Sequence, residues 1–173
     1  MSTNRRLVLT AMLAAAGLPL MGGCVYRPLY GADSYAPDSS AALFSQIRVA
    51  DVDTRVAQQV RNHLIFLLHG GRGAAEPRYE VYLRVSDHTQ LYAANRDFGG
   101  TTAGAATITV SYDLVELPTR RQIASGRRVG SAYYDRTGQS FANDRAQRDA
   151  ANRAAQDAAE QVRMAIAADF AKL

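Results

Sequence analysis

Residues 141–170 read FANDRAQRDAANRAAQDAAEQVRMAIAADF. Within them Ala142, Ala146, Ala150, Ala154, Ala158, Val162, Ile166 and Phe170 recur every four residues, and Ala151, Ala155 and Ala159 widen the stripe. Apolar residues at that spacing share one face of an α-helix, so the stretch is a long amphipathic helix. The stripe is mostly alanine, and side chains that small let a helix lie close to the layer it covers. On the other side Asp144 with Arg148 and Asp149 with Arg153 form i,i+4 pairs suited to a solvated face.

Upstream of this helix the period changes to two. Ile108, Val110, Tyr112 and Leu114 alternate with Thr107, Thr109, Ser111 and Asp113, which predicts a strand with one apolar and one polar face. Pro118 and Thr119 mark a hairpin turn into a further strand, about Gln122 to Tyr134. There Ile123, Ser125, Arg127, Val129 and Ser131 alternate with Ala124, Gly126, Arg128 and Gly130, so its two faces are less distinct. Tyr79, Val81, Leu83 and Val85 alternate with Glu80, Tyr82, Arg84 and Ser86 in an earlier strand. It runs on through Leu91 and Tyr92 toward Arg96, before the turn-rich segment 97–102. Before it, Val56, Val60, Leu64, Leu67 and Leu68 have helical spacing, with Asp53 or Thr54 as the cap and Gly70-Gly71 as the stop. Gln46 to Val52 supplies a first strand, ending near Asp53.

The order β-α-β-β-β-α predicts an α+β fold. It suits a two-layer sandwich, a four-stranded mainly antiparallel sheet with two helices on one face. The other sheet face is then uncovered, and with Thr107, Thr109 and Ser111 on it that face is polar.

The N-terminus carries a different message. Arg5 and Arg6 precede an apolar run from Leu7 to Leu20, and Gly22 and Gly23 precede Cys24. That is a signal-peptide layout. The run, interrupted by Gly17 and Pro19, falls short of the roughly 20 residues a membrane-spanning helix needs. Met21-Gly22-Gly23-Cys24 resembles a lipobox, with Met21 standing where such sites usually carry Leu. Residues 1–23 are therefore expected to be a lipoprotein signal peptide, cleaved between Gly23 and Cys24, and Cys24 to carry the lipid. Residues 24–42, rich in Tyr, Pro, Gly, Asp and Ser, then form the lipidated N-terminus and a tether, and residues 43–173 a single domain.

One cysteine excludes an intrachain disulfide. Taking Arg5 and Arg6 from the 20 basic residues, against 16 acidic ones, leaves the mature chain at +2. So small an excess argues against nucleic acid as a partner. Any attraction for anions must come from the placement of arginines, which offer phosphate a bidentate fork.

The residues point away from catalysis. His63 and His69 lie six apart in one helix, on faces that cannot share a metal, and His88 is elsewhere. Gly70-Gly71-Arg72-Gly73 follows a helix where a phosphate cradle would precede one. The expectation is a binding protein, not an enzyme, with no metal and no cofactor beyond the lipid on Cys24.

Three segments resemble the lipopolysaccharide-assembly lipoprotein family LptE, also called rare lipoprotein B, in its alphaproteobacterial form. The first runs from Gly23 to Gly31. The second runs from Arg78 to Asp135 and includes Tyr92 to Asp97, Val110 to Val115 and Tyr133-Tyr134-Asp135. The third is Ala158 to Val162 in the final helix. The resemblance implies an outer-membrane lipoprotein on the periplasmic side, and Val25 in place of Asp after the cysteine agrees. It also implies a plug and assembly partner inside the LptD barrel, serving lipopolysaccharide transport to the cell surface and binding lipopolysaccharide. Arg96 matches the family's arginine before the turn between the second and third strands. A second basic position falls on Asn143, with Arg145 two residues on. The alternatives are an auxiliary lipoprotein of an intermembrane phospholipid-transport system, and a peptidoglycan-binding or synthase-activating lipoprotein.

Overall fold

A computed structural model describes residues 40–71, 74, 76–92 and 103–172 of the chain. The elements are α1 (Ser40–Phe44), β1 (Ile47–Val49), α2 (Arg55–His69), β2 (Tyr79–Tyr92), β3 (Ala103–Glu116), β4 (Arg121–Asp135) and α3 (Ser140–Phe170). The four strands lie in the order β1-β2-β3-β4; β1 runs parallel to β2, and the other two pairs are antiparallel. This is the expected α+β sandwich. Helix α2 packs on β1 and β2, helix α3 on β3 and β4, and the two helices pack on each other.

The ends of α2 fall where its sequence sets them. Thr54 has extended backbone, and its hydroxyl accepts the Ala57 N–H at 3.2 Å, which satisfies one orphan donor of the first turn. Gly70 takes φ 65°, ψ 27° and donates its N–H to the Phe66 carbonyl at 2.7 Å, closing the helix in a left-handed conformation that costs glycine little. Arg61 donates to the Ala50 carbonyl at 3.0 Å and to Asp51 at 2.9 Å. Its guanidinium occupies a carbonyl just past β1, where that strand stops.

Helix α1 was not expected. It straddles residue 42, where the tether was expected to give way to the domain, and it buries Phe44 beneath the Arg163 guanidinium, 5.2 Å from the ring centre.

Register resolves the ambiguous faces of β4. Gly130 is paired with Ile108 and faces α3, and an added Cβ there would stand 2.1 Å from the Ala154 carbonyl oxygen. The alanine stripe thus lies backbone against backbone on β4. Tyr112 covers its cross-strand partner Gly126, and Tyr134 covers its partner Gly104. The small residues of β4 are the floor on which large neighbours and a helix rest. The core cluster extends from Phe44 and Ile47 through Ile108, Val110 and Leu114 to Val162, Ile166 and Phe170.

Candidate functional site

The sheet face away from the helices is open and polar. Across it lie Arg48 with Glu80, Tyr82 with Asp113 and Ser125, Arg84 with Ser111 and Arg127, Ser86 with Thr109 and Val129, and His88 with Thr107 and Ser131. The expected residues Thr107, Thr109 and Ser111 are all there. Several side chains pair along the face. Arg84 meets Asp113 at 2.7 Å, Arg48 meets Glu80 at 2.8 Å, and the Tyr82 hydroxyl donates to Glu80 at 2.7 Å. That last bond is the main cause of the raised Tyr82 pKa, because losing the phenolic proton would set two anions together. The surface pair Arg84–Asp113 adds little stability, while the Glu80 carboxylate is buried beneath Arg48 and Tyr82. The consequence of these pairs is a face that suits a hydrophilic neighbour.

The end of the sandwich where β2 stops and β3 starts has a different surface. Tyr92 on β2 and Tyr133 on β4 lean together over Ala103 and Ala105 of β3, with ring centres 6.4 Å apart. Helix α3 starts at this end, with Phe141 72 % exposed and the Arg145 guanidinium 5.9 Å from its ring centre. Arg145 has no carboxylate partner among the described residues, so its charge is available. The aromatic surface was not anticipated. Tyr92 and Tyr133 are far apart in sequence, and only register brings them together.

Asn143 is placed differently from Arg145. Its amide accepts the Thr137 N–H at 2.8 Å and donates to the Thr137 carbonyl at 2.9 Å, holding the segment that leads into α3. Arg96 lies outside the described residues, in the connection between Tyr92 and Ala103; Gly23 and Cys24 also lie outside them. No group of three or more His, Cys, Asp or Glu residues among the described residues could hold a metal ion.

At the opposite end the β3–β4 hairpin holds a buried carboxylate. Glu116 accepts from Thr119 at 2.7 Å and from Arg78 at 3.0 Å, and these bonds, the Thr119 hydroxyl first, hold its pKa below the usual glutamate value. The partner guanidinium of Arg78 is raised in turn, chiefly by its bond to Glu116.

These features define a class, an open-faced α+β sandwich whose long C-terminal helix backs a polar sheet. The chain matches the lipopolysaccharide-assembly family, LptE, over residues 44–166, and it belongs to that family. Solved structures share the fold. A putative lipoprotein from Caulobacter crescentus is 22% identical, with a TM-score of 0.64 over 78% of this chain and 97% of that one. The rare lipoprotein B from Shewanella oneidensis is 13% identical, with a TM-score of 0.54 over 73% of this chain and 96% of that one. A minor lipoprotein from Acinetobacter baumannii is 13% identical, with a TM-score of 0.51 over 71% and 89%. No curated protein sequence matches the chain.

Proposed function

We propose that this chain is an outer-membrane lipoprotein that plugs an LptD-type barrel from the periplasmic side, assists its assembly and binds lipopolysaccharide, catalysing no reaction. Residues 1–23 are the signal peptide, Cys24 bears the lipid, residues 24–42 form the lipidated N-terminus and tether, and residues 43–173 are the plug domain. Two or more acyl chains make such an anchor stable.

The observation that carries the reading is the sheet face without a helix layer, polar from Arg48 to Ser131, in a member of the LptE family. Barrel interiors are polar, and a polar face can meet such a wall without exposing apolar surface. Arg96 and Arg145 are the candidate contacts to lipopolysaccharide phosphates; Arg145 stands in the first turns of α3, and Arg96 falls in the sequence between β2 and β3.

The test places a photo-crosslinker at Arg127 or Ser131 on the open face of the full chain in living cells. The expected adduct is a large outer-membrane barrel. An adduct with an inner-membrane transporter would favour the phospholipid-transport alternative and end this reading.

A further inference from the structure

Strand β2 is much longer than its outer neighbour. β1 pairs with it only from Tyr79 to Val81, and the pairing closes with the Ala50 N–H on the Val81 carbonyl at 3.0 Å. Beyond Leu83 no described residue pairs with the outer edge of β2. Val81 turns its carbonyl toward β1, and backbone groups alternate along a strand. The N–H and C=O groups of Val85, Asp87, Thr89 and Leu91 therefore point off the edge, while Ser86, His88, Gln90 and Tyr92 bond to β3. Helix α2 starts near the end of β1, so this half of β2 also has little cover on its helix side. There Leu91 is 48 % exposed and Asp87 is exposed.

The other edge of the sheet is treated in the opposite way. Three α3 side chains, one helical turn apart, take up the outward backbone groups of β4. Arg153 donates to the Tyr133 carbonyl at 2.9 Å, Asp157 accepts the Ser131 N–H at 3.3 Å, and Gln161 donates to the Val129 carbonyl at 3.0 Å. The fold plugs one edge residue by residue and, among the described residues, leaves the other bare. A bare edge is a template for another strand.

We propose that the outer edge of β2, from Val85 to Leu91, takes up an extended segment of a second, different protein as a fifth strand. The segment is apolar opposite Val85 and Leu91, whose side chains it covers on the helix side. It is basic opposite Asp87, which has no ion-pair partner among the described residues. On its other side it is polar, continuing the row of Ser86, His88 and Gln90. The plug reading brings the open sheet face against its partner; this inference adds a contact at the sheet edge and does not depend on that partner being a barrel.

Hydrogen exchange read by mass spectrometry tests it, on the full chain in isolated outer membranes and on the same chain purified in detergent. In membranes the amides of Val85, Asp87, Thr89 and Leu91 should slow by about tenfold, the worth of one net hydrogen bond, while those of Ser86, His88 and Gln90 stay as protected as before. Thr89→Pro removes an edge-facing N–H, a loss that edge strands tolerate, along with the hydroxyl that accepts from Gln147 at 3.4 Å, and should abolish the added protection with the β3-facing amides unchanged. Asp87→Arg is a second, surface variant that should lower it too. Equal exchange in membranes and detergent overturns the proposal. So does edge protection already present in the purified chain, which would mean a second copy or a segment of the chain itself. Protection that survives both variants overturns it as well. A barrel crosslinked to the open face with no edge protection sinks this inference and leaves the plug reading standing; edge protection without a barrel does the reverse.

Discussion

Replacing Gly130 with alanine should loosen the contact between α3 and the sheet more than any other single methyl group added to β4. The new Cβ would stand 2.1 Å from the Ala154 oxygen, 2.6 Å from the Ala158 nitrogen and 3.0 Å from the Ala158 Cβ. Two of these are helix backbone atoms, so no rotamer change relieves the clash. Ordinary contact begins at 3.4 Å, so α3 has to retreat by about 1 Å, a gap that forfeits roughly a quarter to a half of each affected dispersion contact. Overpacking of this kind costs about 1–3 kcal/mol. Removing a glycine from a strand returns roughly 0.5–1 kcal/mol. The net expectation is a loss of about 1–2 kcal/mol, which in a domain of this size lowers Tm by roughly 2–8 °C. Urea and thermal unfolding of the purified chain, followed by circular dichroism, measure it. Gly138→Ala is the control, since nothing lies within 4 Å of its added Cβ, and it should stay within about 0.5 kcal/mol of the wild type. If the two variants unfold alike, α3 is not seated on Gly130 and the reading of the alanine stripe is wrong.

Four further outcomes are expected. The Tyr112 hydroxyl, buried and donating to Asp169 at 2.8 Å, has its pKa pushed up from 10.0 to about 12, first by burial and then by that bond. Its contribution is whole below pH 10 and lost between pH 10 and 12, so Tm in that window should fall more steeply for the wild type than for Tyr112→Phe. Glu116 is depressed below 4.5, so its contribution is present above that pH and lost as pH falls through the folded value; Glu116→Gln should flatten acid unfolding, measured as Tm against pH. Asn143→Ala should cost about 1–2 kcal/mol in urea unfolding, through two lost bonds to the Thr137 backbone. Arg96→Glu should weaken lipopolysaccharide binding in a salt-sensitive way, and unchanged binding would remove Arg96 from the site.

Where apolar periodicity was strong, the fold was legible. The four-residue repeat located α3, alternation located β3, and Thr54 and Gly70 marked the ends of α2 close to where the caps form. What hydropathy hid was which face of β4 is covered, because it ranks Gly126 and Gly130 as poor core residues. In the sheet each is covered by what it admits, Gly126 partly by a tyrosine ring and Gly130 fully by a helix backbone, and that depends on register and on the neighbouring element. The edges were hidden for a related reason. Arg153 reads as part of a solvated helix face and does pair with Asp149 at 2.9 Å, yet it also closes a backbone group of β4, as Asp157 and Gln161 do. Nothing local distinguishes a charge that faces water from one that reaches a strand edge.

The candidate site shows the same limit, with a measurable consequence at Asn143 and Arg145. The resemblance sets a basic residue at position 143, and Arg145 is the nearest arginine after it. Two residues along a helix turn by about 200°, so Arg145 leaves α3 on nearly the opposite side from Asn143. Asn143 is already engaged at both amide atoms with Thr137, whereas Arg145 extends over the exposed Phe141 ring. Proximity in sequence therefore does not make Arg145 a replacement for the family's basic side chain. If lipopolysaccharide phosphates are gripped chiefly from the β2–β3 connection, Arg96→Glu should weaken binding clearly more than Arg145→Glu. Asn143→Arg should destabilise α3 without strengthening binding, because it breaks the Thr137 lock. Titration of each full-length variant with purified lipopolysaccharide at low and high salt decides the order, and tighter binding by Asn143→Arg would show that position 143 faces the ligand after all.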